Sequence, residues 1–119
     1  MIVDQFVFTS GQIALIPTEP GTLDNESIEA ETRRVMYNLI AVLGAASCTL
    51  ADVYRSRIFI SDQAFFPEVN KVYSEFFEEG EEPVRECVVA APPLEGAHVE
   101  ISMDAMLPHV AYVDASYID

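Results

Sequence analysis

From His98 to Ala105 the chain alternates without a break, Val99, Ile101, Met103 and Ala105 against His98, Glu100, Ser102 and Asp104. Successive side chains of a β-strand point to opposite faces, so this segment demands a strand with one face buried and one polar. Val53–Ile60 (VYRSRIFI) is β-branched and aromatic, with Arg55 and Arg57 on one side of the alternation and Tyr54, Ser56 and Ile58 on the other. Val84–Ala91 reads as a further strand, joined by Pro92–Gly96 to the one over Ala97–Leu107, and so short a connection predicts an antiparallel hairpin. Near the start, QFVFTSGQIAL (Gln5–Leu15) predicts two short strands that meet at Ser10-Gly11.

Two stretches between these strands have the period of a helix. The first begins near Asn25 to Ser27, with Glu26, Glu29 and Glu31 where carboxylates complement the positive end of the helix dipole. Its apolar face is Ile28, Val35, Leu39, Val42 and Ala46. The second is capped by Ser61 and Asp62 and runs to Phe77, burying Phe65, Val69, Val72 and Phe76 ahead of an acidic loop, Glu78–Glu82. The order ββαβαββ, without internal repeats, predicts an α+β domain with both helices on one face of a sheet. The opposite face, expected to carry Cys87, Val89 and Ala91 among polar groups, is then uncovered, which predicts a homo-oligomer.

Charge narrows the function. The 119 residues hold Lys+Arg 6 against Asp+Glu 20, a net charge of -14, with half of the residues hydrophobic. That is one folded domain with a single core. Phosphate binding needs clustered cations, so nucleic acid and anionic membrane surfaces are excluded as partners. No apolar run approaches the roughly 20 residues that span a bilayer, and Met1-Ile2-Val3-Asp4 does not begin a signal peptide, so a cytoplasmic location is expected. Cys48 and Cys87 lie far apart without CxxC spacing, and His98 and His109 form no ligand pattern with Glu100 or Asp104, so neither a disulfide framework nor a metal site is expected.

Four segments, taken together, carry a resemblance: Phe8-Thr9-Ser10-Gly11-Gln12-Ile13, Val69-Asn70-Lys71-Val72-Tyr73-Ser74-Glu75-Phe76-Phe77, Pro83-Val84-Arg85-Glu86-Cys87-Val88-Val89-Ala90 and Val99-Glu100-Ile101. In order and register from about Phe6 to Leu107 the chain resembles the RidA/YjgF family, also called L-PSP. The resemblance implies a chorismate-mutase-like subunit with a mixed sheet, assembled as a homotrimer with ligand sites between subunits. It implies cofactor-free hydrolysis of reactive 2-enamino and 2-imino acids, such as 2-aminoacrylate, to 2-keto acids and ammonia. Arg85 then stands at the arginine that holds the substrate carboxylate, and Cys87 at a position whose backbone lines the site. Gly11 stands at the glycine of the SGQ turn, and Glu100 at the acid associated with the reacting water. The chemistry of these residue types agrees: a guanidinium forks onto a carboxylate, and imine hydrolysis needs one group to deliver water and shuttle a proton. In a hairpin Glu100 would oppose a residue near Val88 rather than Arg85, a parity that favours a site completed by a second subunit.

The chain also departs from that pattern. It starts almost at the first strand, without the tyrosine-bearing segment that usually reaches the ligand, and Glu86 follows Arg85 where a small hydroxyl residue is common. Residues 1–107 make the expected domain and 108–119 an extension, whose Tyr112 or Tyr117 could supply the lost ring by docking on the trimer. Each site residue also has an ordinary reading: Arg85 as a strand arginine paired with Glu86 or Glu100, Glu100 as an exposed strand residue, Cys87 as a small inert thiol. Tyr73, Phe76 and Phe77 read as core. The alternative function is a regulatory protein of the same fold that binds a small carboxylate without turning it over. A ribonuclease, the third class, is opposed by the charge.

Overall fold

The computed structural model describes residues 1–108. One sheet has the order β1-β2-β5-β3-β4, where β1 is Ile2–Val3, β2 Phe6–Phe8, β3 Val53–Ile60, β4 Val84–Val89 and β5 Val99–Met106. Helices α1 (Ile28–Ala45) and α2 (Phe66–Glu75) complete the order ββαβαββ. The core lies between helices and sheet, where Val35, Met36 and Leu39 of α1 meet Ile58 and Ile60 of β3 and Ile101 and Met103 of β5. The sheet is mixed: β3 pairs with β4 in parallel and with β5 antiparallel. A parallel pair needs a long crossover, and α2 provides it.

α1 starts where the sequence places it, because Ser27 Oγ accepts a hydrogen bond from the Ala30 amide at 3.0 Å. Its buried stripe is Glu31, Thr32, Val35, Met36, Leu39 and Leu43. Val42, expected inside, is 37% exposed, since the stripe advances from Leu39 to Leu43 and leaves position 42 on its flank. Asp62 Oδ1 accepts from the Ala64 amide and caps a single 3₁₀ turn, Gln63–Phe65, that runs into α2. Val69, Val72 and Tyr73 are the buried residues of α2.

The expected hairpin between Val84–Ala91 and Ala97–Leu107 does not form. β4 and β5 lie on opposite sides of β3, and residues 90–98 step over its end. The Ala90 amide donates to the Ile60 carbonyl at 2.8 Å on one side of β3 and the Ser61 amide to the His98 carbonyl at 2.9 Å on the other. At about 4.8 Å per strand spacing, such a connection has ample reach. The N-terminal strands also sit earlier than expected, β1 and β2 being joined through Asp4, whose φ of 54° suits a tight hairpin turn. Ile13–Leu15 is not a strand, because the Asn38 amide of α1 donates to the carbonyls of Ile13 and Leu15 at 3.0 and 2.9 Å. Tyr54 leaves the side of Ser56 and Ile58: a register irregularity between Val53 and Arg55 turns it out, where it meets Phe6 edge-on.

The face assigned to Cys87 and Val89 is likewise corrected. They pair with Ile58 and Ile60, which are buried, and so lie on the helix side of the sheet. The open face instead carries Phe6, Phe8, Tyr54, Val84 and Val88 with two ion pairs, Arg55–Glu86 and Arg57–Asp104. The expected docking of Tyr112 or Tyr117, and His109, lie outside the described residues. Among those residues no helix is long and apolar enough to cross a membrane.

Candidate functional site

Arg85 sits on the edge strand β4, in register with Ser56 of β3, so its side chain shares the helix side of the sheet with Cys87 and Val89. There it lies over two rings of α2, with Cζ 5.4 Å from the Tyr73 centroid and 5.7 Å from that of Phe66. Tyr73 is fixed in turn: it is buried, and its hydroxyl donates to Ser56 Oγ at 2.9 Å. Burial pushes the Tyr73 phenol up, while the Ser56 bond and the charge of Arg85 pull partly against it.

The other five cations each have a carboxylate. Arg33 pairs with Glu75, Arg34 with Asp24, Arg55 with Glu86, Arg57 with Asp104 and Lys71 with Glu29. Among the described residues Arg85 is the one Lys or Arg in no such pair, although the chain holds Asp+Glu 20. Glu86, its sequence neighbour, does not compete, because the alternation of β4 sends it to the open face and onto Arg55 at 3.0 Å. Arg85 therefore pairs with neither of the acids that an ordinary strand arginine would have taken.

Two hollows run along this edge. Asn70, Tyr73, Ser74, Glu82, Pro83 and Arg85 line one of about 250 Å³. Ile60, Gln63, Phe66, Pro67, Cys87 and Val89 line an open cleft of about 450 Å³. Partial burial raises the Cys87 thiol, with Arg85 opposing, so at neutral pH the group is a thiol and not an activated nucleophile.

Gly11 and Glu100 form a second cluster. The Gln12 and Ile101 amides and carbonyls pair across the SGQ turn at 2.8 and 3.0 Å, which lays Gly11 against β5. A Cβ on Gly11 would stand 2.6 Å from Glu100 Oε2. Glu100 pairs with Phe59, which also pairs with Val88, so it faces the open side. The expected parity thus holds although the hairpin behind it does not: Arg85 and Cys87 lie on one face and Glu100 on the other. One chain brings the four residues together in two pairs, not in one site.

Sequence reading missed one buried network. Glu31 is fully buried, and its Oε2 accepts from the amides of His98 and Val99 at 2.6 and 2.9 Å while Oε1 meets His98 Nδ1 at 2.8 Å. Glu31 falls four residues before Val35 on the buried stripe, which was the available signal. Among the described residues no group of three His, Cys, Asp or Glu could hold a metal ion.

The profile of the Endoribonuclease L-PSP family matches residues 1–107. A RutC family protein of Synechocystis is 37% identical over 103 residues, covering 87% of this chain and 79% of that one. The 2-iminobutanoate/2-iminopropanoate deaminase of Rattus norvegicus is 29% identical over 106 residues, covering 89% of this chain and 76% of that one. The crystal structure of RidA from the Antarctic bacterium Psychrobacter superposes with a TM-score of 0.81 at 28% identity, covering 89% and 84% of the two chains. The mixed five-stranded sheet with two helices on one face is the fold of these proteins, and the chain belongs to the L-PSP family, that of the RidA/YjgF proteins.

Proposed function

We propose that this protein is a cofactor-free deaminase that hydrolyses reactive 2-enamino and 2-imino acids to 2-keto acids and ammonia. The observation that carries the reading is Arg85: a guanidinium held over Tyr73 and Phe66, bordering a hollow, and in no ion pair among the described residues of a strongly acidic chain. Such a group is poised for a carboxylate from outside, and its fork matches that anion in two parallel hydrogen bonds. A protein of net charge -14 repels small anions at long range, so the affinity must arise locally. Five of the six cations being paired also leaves no basic patch for RNA, which argues against the ribonuclease reading that the family's name suggests.

In this reading the carboxylate sits on Arg85 with its carbon skeleton toward Cys87, whose backbone lines the site. Water adds to C2 of the imine, Glu100 taking one of its protons and passing it to the imine nitrogen to give the carbinolamine. Glu100 then takes the hydroxyl proton and returns it to the amino group, so that the C–N bond breaks, ammonia leaves and the C2 carbonyl forms. Since Glu100 and Gly11 lie on the opposite face from Arg85, they come from a neighbouring subunit. A homotrimer supplies that neighbour, and the exposed Phe8, Tyr54, Val84 and Val88 of the open face are the surface it would cover. A cytoplasmic setting suits the two free cysteines.

The test is release of ammonia from 2-aminoacrylate generated by a dehydratase, with and without this protein. Acceleration by the wild type, lost in Arg85→Ala at unchanged melting temperature, is the expected result. Thermal stabilisation by small carboxylates without any acceleration would assign the protein to the non-catalytic binding class instead. Dilution to the monomer should abolish turnover, and full activity of a monomer would sink the intersubunit site.

A further inference from the structure

Two buried polar side-chain atoms among the described residues lack a hydrogen-bond partner, Arg34 Nε and Asn70 Oδ1. The first lies 3.8 Å from an Asp24 carboxylate oxygen and keeps electrostatic compensation. Asn70 has none, and a buried acceptor without a donor carries its full desolvation cost. Its position is specific. α2 places Asn70 one turn before Tyr73 and Ser74, and the three border the hollow of about 250 Å³ that also contains Arg85. The cation outside any ion pair among the described residues and the residue that carries the unpaired acceptor therefore border one small space.

A ligand that complements both presents a carboxylate and, on the adjacent carbon, an N–H donor. 2-Enamino and 2-imino acids have that constitution; their 2-keto products carry at C2 an oxygen that only accepts. We infer that Asn70 is a substrate-binding residue whose Oδ1 accepts a hydrogen bond from the nitrogen on C2, an inference that rests on the carboxylate of the same ligand occupying Arg85. Two oxygens that both accept repel, so the keto product would leave Asn70 unpaired again. The side chain thereby favours nitrogen-bearing substrate over product and assists product release.

The pair oxamate and pyruvate separates this role from others without turnover. Both are small anions with a trigonal C2, but oxamate carries NH₂ on C2 where pyruvate carries a methyl group. Titration calorimetry on the wild type should show oxamate bound about tenfold more tightly, one hydrogen bond's worth. In Asn70→Ala and in the near-isosteric Asn70→Leu that ratio should collapse to about one, with pyruvate affinity kept within roughly threefold. The melting temperature of both variants should be unchanged or higher, because removing an unpaired buried acceptor relieves a cost. Equal affinity of the wild type for the two anions overturns the inference while leaving the carboxylate site intact. So does a lowered melting temperature with both anions weakened alike, since Asn70 would then be holding the fold. If the wild type binds neither anion, or if Arg85→Ala binds both unchanged, the carboxylate reading itself fails and the inference falls with it.

Discussion

Gly11 lies so close to Glu100 that a single methyl group would collide with the carboxylate, at 2.6 Å from Oε2 and 2.7 Å from Cδ. The glycine is demanded by its neighbour's side chain rather than by its own backbone, since the positive-φ glycines are Gly21, Gly80 and Gly96. Gly11→Ala must therefore displace the end of a flexible side chain and little else. The melting temperature should move by no more than a few degrees, while turnover of 2-aminoacrylate falls at least ~10-fold through loss of a positioned acid-base group. Glu100→Gln should match that loss and still bind small carboxylates. A Gly11→Ala protein with wild-type turnover would show that the carboxylate's position does not matter.

The Cys87 thiol is raised by partial burial and lowered by Arg85, with burial the larger influence. Its alkylation by iodoacetamide should therefore rise with pH along a curve displaced above that of a free thiol, and Arg85→Ala should displace the curve further upward. On the proposed reading, in which Cys87 contributes its backbone to the site, Cys87→Ser should retain turnover within about threefold. Loss of activity in Cys87→Ser, together with rapid alkylation at neutral pH, would point instead to a covalent mechanism with Cys87 as the nucleophile.

Much of this architecture is legible in the residues. Val53–Ile60 is a strand with the bounds its alternation marks, and Ser27 caps α1 because a hydroxyl there satisfies an amide that the helix leaves unpaired. Parity alone puts Arg85 and Glu86 on opposite sides of β4, but not which side the helices cover, and Cys87 and Val89, which share the side of Arg85, were expected on the uncovered one. Sheet order does not, because β3 has two edges and nothing local in Val84–Val89 or Val99–Met106 says which edge each takes. The short link between them points to a hairpin by proximity, whereas the parallel pairing is decided by α2 packing across β3. Tyr73 was read as core, and it is; that its ring and Phe66 also support Arg85 depends on β4 lying beside α2, a tertiary fact. Glu31 was placed among first-turn acids because charge at a helix start has a ready explanation, and that explanation hid its burial.

The Tyr73–Ser56 bond is the most buried side-chain contact under the candidate site, with Ser56 fully and Tyr73 almost fully enclosed. Tyr73→Phe leaves Ser56 Oγ without its partner and should cost about 1–3 kcal/mol in urea unfolding, and Ser56→Ala likewise strands the phenol. The double variant should cost less than the sum of the two. The folded state also holds the phenolic proton more tightly than the unfolded chain does. Stability should thus fall as pH rises from the ordinary tyrosine range toward the higher folded value, and Tyr73→Phe should lack that part of the fall. Cys48, also raised by burial, contributes a similar loss that begins at lower pH in both proteins, so the difference between them isolates Tyr73.

Glu31 ties α1 to the start of β5 through two backbone amides and an imidazole, all reached by one fully buried carboxylate. Glu31→Ala would leave the His98 and Val99 amides without an acceptor and open a void beneath α1. Each unsatisfied buried donor costs about 1–3 kcal/mol, so a loss on the order of 3 kcal/mol or more is expected. Glu31→Gln keeps an oxygen for both amides, and its NH₂ can donate to His98 Nδ1 once the imidazole proton moves to Nε2, so about 1 kcal/mol is expected there. Because β5 carries Glu100 one residue beyond Val99, Glu31→Ala should lower turnover more than it lowers carboxylate binding at Arg85, which stands on another strand. Urea unfolding and binding of a small carboxylate, measured on both variants, check this ordering. Equal stability of the alanine and glutamine variants would mean that the amides find water and that the carboxylate is not what anchors the strand.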